Sequence, residues 1–173
     1  MIEHERTFLA KFIPDGLKKC KKIEINDIYI PKNAKHPVLR IRRYGNKFEI
    51  TKKFPIENDF SKQKEQTITL SKKEFQVLSK LDGKKLHKRR YFYKINGKIA
   101  EIDVFLGDLR GLVLVDFEFE NEKEKKLFQM PDFCLADVTE EEFIAGGMLC
   151  GKAYKDIESK LKKFDYKKIK TNF

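Results

Sequence analysis

The chain has no tryptophan, three cysteines and no long apolar run, and each shortage closes off a class of protein. Cys20, Cys134 and Cys150 are odd in number and widely spaced. They match no disulfide framework and no zinc or redox spacing, and read as reduced thiols in a cytoplasm. No stretch approaches the roughly 18–20 apolar residues of a membrane helix, and the charged N-terminal segment has no signal-peptide core, so no membrane partner is expected. Without tryptophan there is no obvious aromatic platform for a purine or thiazole ring, though fifteen phenylalanines leave that open. No internal repeat and no Ser/Gly linker interrupts the 173 residues, which predicts a single domain over 1–173.

Charge is what the chain has in abundance. Charged residues make up 38% and the net charge is +11, which favours anionic partners: nucleic acid, phosphorylated metabolites or an acidic surface. Apolar residues nevertheless recur throughout, as a packed core requires. Two hairpins stand out. "YFYKINGKIAEIDVF" carries Asn96-Gly97 between alternating runs, and both turn residues tolerate positive φ. "VLRIRRYGNKFEIT" carries Gly45-Asn46, suited to a II′ turn. "GLVLVDFEFE" (111–120), "IEHERTFLAKF" and "EQTITLS" read as further strands. Ser71-x-x-Glu74 and Thr139-x-x-Glu142 have the spacing of capping boxes, and "KAYKDIESKLKKF" reads as an amphipathic helix within a C-terminal helical segment at about 139–166. The expectation is a mostly antiparallel β protein with a few helices.

Hairpin register assigns the charges to faces. A two-residue turn at Asn96-Gly97 sets Arg90 opposite Asp103 and Phe92 opposite Glu101, with Lys88, Arg90, Glu101 and Asp103 on one side. The turn at Gly45-Asn46 sets Arg40 opposite Thr51 and Arg42 opposite Glu49; Lys53 continues that side and Lys52 points away. Along 111–120, Val113, Val115, Phe117 and Phe119 form the buried side and Asp116 and Glu118 the polar one. Each polar side could simply be wet, as antiparallel sheets often are. Yet Glu3/Glu5, Arg40/Arg42, Glu101/Asp103 and Asp116/Glu118 repeat like charges two residues apart, which is unfavourable in isolation. A curled sheet gathering them around a polyanion and its metal ions would explain the pattern. Arginine forks suit phosphate oxygens, and carboxylate pairs suit Mg²⁺ or Mn²⁺.

These motifs also resemble a family. "EHER-T" at 3–7 resembles the Glu-x-Glu-x-Lys signature of the CYTH superfamily, the triphosphate tunnel metalloenzymes. This group includes inorganic and thiamine triphosphatases and class IV adenylate cyclases. "LRIRR", "ITKKF", "KEQTITLS" with Glu65, "KRRY", "EIDVFLG" and "GLVLVDFEFE" resemble its later strands in order along nearly the whole chain. "DVTEEEF" resembles the lead into its C-terminal helices. The resemblance implies an eight-stranded antiparallel barrel forming a tunnel with flanking helices. It implies metal ligands at Glu3, Glu5, Asp103, Asp116 and Glu118, supported by Glu101, and phosphate contacts at Arg40, Arg42, Lys53, Lys88 and Arg90. Lys88 and Glu65 are the groups expected to act on the attacking water. Two positions depart from the pattern: Thr7 stands where the signature has lysine, removing a cation, and Asp116 stands for glutamate, shortening the reach by a methylene.

The function expected is divalent-metal-dependent hydrolysis of a triphosphate, with inorganic tripolyphosphate favoured. The alternatives are a class IV adenylate cyclase acting on ATP, and a non-enzymatic polyphosphate- or nucleic-acid-binding protein. Nucleic acid is disfavoured, because "KKLHKRRYFYK" fits no nucleic-acid-binding motif. A homodimer is compatible with the sequence. His4, His36 and His87 are scattered and carry no expected role, and Gly146-Gly147 reads as a close packing point.

Overall fold

The computed structural model describes residues 4–56 and 59–171, and the side chains among them outside 53–64. In chain order the elements are β1 (His4–Ala10), β2 (Lys22–Ile30), β3 (Leu39–Tyr44), β4 (Lys47–Ile56), β5 (Asp59–Leu70), α1 (Lys72–Leu78), β6 (Lys84–Ile95) and β7 (Lys98–Phe105). They continue with β8 (Val113–Phe119), α2 (Glu122–Leu127), β9 (Cys134–Asp137), α3 (Gly146–Leu149) and α4 (Tyr154–Lys162). The strand pairs described below are antiparallel, so the expected fold class holds, with nine strands among the described residues where the resemblance implied eight. The chain divides into two compact units, one of Met1–Ile23, Lys88–Glu141 and Lys152–Phe173, the other of Glu24–His87 and Glu142–Gly151.

In the first unit the strands run β6-β7-β8-β1-β9. Asn96 and Gly97 both take positive φ, as a I′ hairpin demands. The turn gives the expected register, Lys88 opposite Phe105, Arg90 opposite Asp103 and Phe92 opposite Glu101. Alternation then sorts the side chains. Phe8, Tyr91, Ile102, Val104, Val113, Val115 and Phe117 all point to one side and are fully buried, in a cluster completed by Leu17 and Phe133. Burying each such side chain is worth about 1.5–3 kcal/mol, which drives the sheet to present this face inward. α4 buries Tyr154, Ile157 and Leu161 at helical spacing.

In the second unit the run is β5-β4-β3-β2. Gly45 takes φ 59°, and the register sets Arg40 opposite Thr51 and Arg42 opposite Glu49, as expected from the turn. Ser71 caps α1, and its capping box with Glu74 is complete. Gly146 and Gly147 are packing points: a Cβ on Gly146 would lie 2.4 Å from Tyr29 Oη, and one on Gly147 would lie 2.6 Å from His36 Cδ2. The second expected capping box does not form. Thr139 Oγ1 donates to Asp137 and accepts the Thr7 amide at 3.1 Å, so the helical segment begins only as a 3₁₀ turn at Glu142–Ile144.

Candidate functional site

In the first unit the polar side of the sheet is a sequence of cross-strand rows. One row places Arg90 beside Asp103; the next runs from Phe92 through Glu101 and Asp116 to Thr7. Beyond it, Glu118 stands directly opposite Glu5. Asp103 is wholly buried and is gripped from two directions. Arg90 Nε donates to its Oδ1 at 2.7 Å and Arg90 Nη2 to its Oδ2 at 2.7 Å, while Lys88 Nζ also donates to Oδ2. Arg90 reaches further, through Nη1 to Glu101 and through Nη2 to Asp116 Oδ2 at 3.1 Å. Thr7 Oγ1 donates to the other oxygen of Asp116 at 2.8 Å. Asp103 thus has a cation on each side, which offsets the cost of taking it out of water.

The titration of these groups follows from their neighbours. Burial opposes ionisation of Asp103, but Lys88 and Arg90 outweigh it and hold the carboxyl below its ordinary range. Burial likewise opposes the Arg90 charge, and Asp103, with Asp116 and Glu101, more than compensates, so the guanidinium is charged more firmly than usual. Glu101 goes the other way: burial, then Glu118, Asp103 and Asp116, raise it against the pull of Arg90. Asp116 is raised by burial and by Asp103, against Arg90, Lys88 and the Thr7 hydroxyl. Surplus negative charge therefore accumulates around Glu101, Asp116 and Glu118. Glu101 and Glu118 also line a common recess of about 530 Å³ with Phe92, Ile99 and Lys98.

The second unit has a polar face of its own. Arg42 grips Asp27 with Nε to Oδ1 and Nη2 to Oδ2, both 2.7 Å, and the Asp27 side chain is fully buried. Next to it Arg40 faces Tyr29 across β2 and Thr51 across β4, with its guanidinium 3.9 Å from Glu49. Burial, with Asp27, pushes the Tyr29 phenol up to about 12, against the opposing pull of Arg40 and Arg42. Arg40 Nε is buried with no hydrogen-bond partner among the described residues. It lines a small cavity of about 180 Å³ with Tyr29, His36, Thr51 and the backbone of Gly146. A buried, unmatched cationic N–H is a donor that an anion would satisfy. Thr51 and Thr67 hydroxyls lie 2.9 Å apart, and Thr67 donates to Glu65 at 3.1 Å.

Of the residues singled out from the sequence, Lys88, Arg90, Glu101, Asp103 and Asp116 form one bonded network, with Glu5 and Glu118 opposed on the same face. Arg40, Arg42 and Glu65 lie on the face of the second unit. Glu3 and the Lys53 side chain lie outside the described residues. Among the described residues no three His, Cys, Asp or Glu side chains stand together as a finished metal site. Sequence reasoning missed Asp27 and Tyr29 because it missed β2. Ile25, Asp27, Ile28 and Tyr29 are all buried, so the polar–apolar alternation over 22–26 breaks down in the second half of the strand. The β-branched density of "IEINDIYI" was the available signal. Among the described residues no helix is long and apolar enough to cross a membrane.

Comparison with known proteins gives this arrangement relatives. No family model matches the chain. An inorganic triphosphatase of Nitrosomonas europaea is 32% identical over 144 residues, covering 82% of this chain and 92% of its own. The crystal structure of an inorganic triphosphatase superposes with a TM-score of 0.67 at 27% identity, over 88% of this chain and 96% of that one. A Bacillus halodurans protein proposed to be an adenylate cyclase shares the fold at TM-score 0.54 and 17% identity, over 99% of this chain and 94% of its own.

Proposed function

This chain belongs to the CYTH superfamily of triphosphate tunnel metalloenzymes, and we propose that it hydrolyses the terminal phosphoryl group of inorganic tripolyphosphate with the aid of Mg²⁺ or Mn²⁺. The observation that carries the reading is the 32% identity, over most of both chains, to an inorganic triphosphatase. Each unit's polar face carries cations of the kind phosphate oxygens take: Arg40 and Arg42 in the second unit, Lys88 and Arg90 in the first. Lys53 is the further cation named by the family pattern. Arg40 is the best prepared, since its buried Nε already lacks a partner among the described residues. Arg90 has four of its five N–H groups committed to carboxylates and can offer an anion only the remaining Nη1 hydrogen.

The carboxylates on this face are the oxygen donors that a hard divalent ion takes. Glu5 and Glu118 are directly opposed, Glu101 lies diagonal to Glu118, and the carboxyl of Glu101 is raised partly by that neighbour. An oxygen-seeking cation relieves such crowding. Glu3, Glu5 and Glu118, with Glu101 in support, are the carboxylates that would have to close on it, since among the described residues they do not yet form a finished site. Asp103 is a poorer ligand than its sequence position promised, because both oxygens are spent on Lys88 and Arg90. When bound, the ion would draw charge from the phosphate oxygens and lower the barrier to attack. The chain's own share is positioning: arginines and lysines hold the polyanion in a geometry set by their buried carboxylate partners. Lys88, held by Asp103, and Glu65, accepting from Thr67, are each a candidate for the group that acts on the attacking water.

The test is a phosphate-release assay on purified protein with tripolyphosphate, thiamine triphosphate and ATP. Tripolyphosphate hydrolysis that EDTA abolishes and Mg²⁺ or Mn²⁺ restores is the expected result. Cyclic AMP and pyrophosphate from ATP, with no phosphate from tripolyphosphate, would make the protein a cyclase instead. EDTA-indifferent, steeply salt-dependent nucleic-acid binding with no hydrolysis would make it a binding protein.

A further inference from the structure

The two places where the chain departs from the family pattern, Thr7 for lysine and Asp116 for glutamate, are direct cross-strand partners joined by a hydrogen bond of 2.8 Å. Resting on the metal-dependent reading above, we propose that Thr7 and Asp116 act as one positioning pair for Arg90, and that Asp116 is not a ligand of the metal. Three observations meet here. Both oxygens of Asp116 are in use, Oδ1 accepting from Thr7 and Oδ2 from Arg90 Nη2. The Asp116 side chain is only 16% exposed, beside the wholly buried Asp103, whereas Glu118 and Glu5 on the adjacent row are exposed. Thr7 is itself buried, 8% exposed, and its amide is tied to Thr139 at 3.1 Å, so its hydroxyl is held in place to meet Asp116.

The exchange has a clear physical logic. A lysine at position 7 would bring a second full charge to Asp116 and compete with Arg90 for it. A threonine hydroxyl satisfies one oxygen with a neutral donor and leaves the other to the guanidinium. Arg90 is then clamped by Asp103, Glu101 and Asp116, with its one remaining N–H direction fixed. The neutral donor and the shortened acid are thus matched to each other across the strand pair.

Two measurements test this. Mn²⁺ binding, followed by loss of the free-ion electron paramagnetic resonance signal, compares wild type with Asp116→Asn and Glu118→Gln. Affinity should stay within about threefold in Asp116→Asn and fall at least tenfold in Glu118→Gln, the tenfold fall being about 1.4 kcal/mol. A comparable loss in both would make Asp116 a ligand and overturn the assignment. Separately, Thr7→Val should raise KM for tripolyphosphate several-fold with a smaller change in kcat, and Thr7→Ser should restore it. An unmoved KM, or failure of serine to restore it, would also overturn the pair. Wild-type protein that neither binds Mn²⁺ nor hydrolyses tripolyphosphate would sink the functional reading itself, a result distinct from either failure above.

Discussion

Replacing Asp103 by asparagine should be among the most damaging single changes available to this chain. The carboxylate is wholly buried and compensates Lys88 and Arg90, whose side chains are 12% and 15% exposed. Asparagine keeps the shape and removes the charge, leaving two largely desolvated cations facing a neutral amide that can accept from them but also presents a donor. Removing one partner of a buried ion pair costs about 3–5 kcal/mol. The lower end is favoured here, because Asp103 also repels Glu101 and Asp116, and its loss relieves both. For a chain of this size each kcal/mol is about 2–4 °C of Tm, so thermal melts at pH 7 should show a drop of roughly 6–20 °C. The pH dependence has a definite sign. The folded-state pKa of Asp103 is lowered, so its contribution is fully present above the ordinary aspartate value of about 3.9 and is lost as pH falls through the lower folded value. Glu101 and Asp116 are raised, so their contribution is present below their ordinary values and lost as pH rises through the folded ones. Melts of wild type and Asp103→Asn should therefore differ at pH 7, with a gap that changes as Glu101 and Asp116 titrate and closes in stronger acid as Asp103 itself protonates. A Tm loss under about 3 °C at pH 7, or a gap that persists undiminished at pH 3, would mean that charge compensation by Asp103 is not what holds this face together. Lys88→Met combined with Asp103→Asn should cost less than the sum of the two alone, since the pair is removed together.

Asp27→Asn should free Arg42 from its bidentate clamp, lowering Tm and raising KM for tripolyphosphate, as melts and steady-state kinetics on the same preparation would report. Tyr166→Phe removes a hydroxyl that accepts the Val113 amide and donates to the Gly111 carbonyl, each at 2.8 Å. The two orphaned backbone groups should cost about 1–3 kcal/mol in urea unfolding, with kcat unchanged. Glu5→Gln should depress metal-dependent phosphate release at least tenfold and shift the Mn²⁺ requirement upward; undiminished activity would remove Glu5 from the metal site.

The features legible in the sequence are local ones. Asn96-Gly97 and Gly45-Asn46 impose turn geometry within a few residues, and a hairpin turn sets the register of both strands leaving it. Arg90 opposite Asp103, Arg42 opposite Glu49 and the inward run Val113, Val115, Phe117 therefore follow from turn chemistry and alternation alone. The Ser71 cap is legible for the same reason, since its partner Glu74 lies one turn away. Tertiary packing settled whatever depended on a partner distant in the chain. β2 alternates only in its first half, because Asp27, Ile28 and Tyr29 are all buried, and only pairing with β3 sets Asp27 against Arg42. Thr139 had a capping sequence, but Asp137 and the Thr7 amide claimed its hydroxyl. The hydrogen bonds of Asp116 were not legible, because strand pairing brought Thr7 and Arg90, 109 and 26 positions away in the chain, to its two oxygens. Charge pattern says which residues can bind ions. Only the packing of strands from far along the chain says which of those charges are already spent on one another.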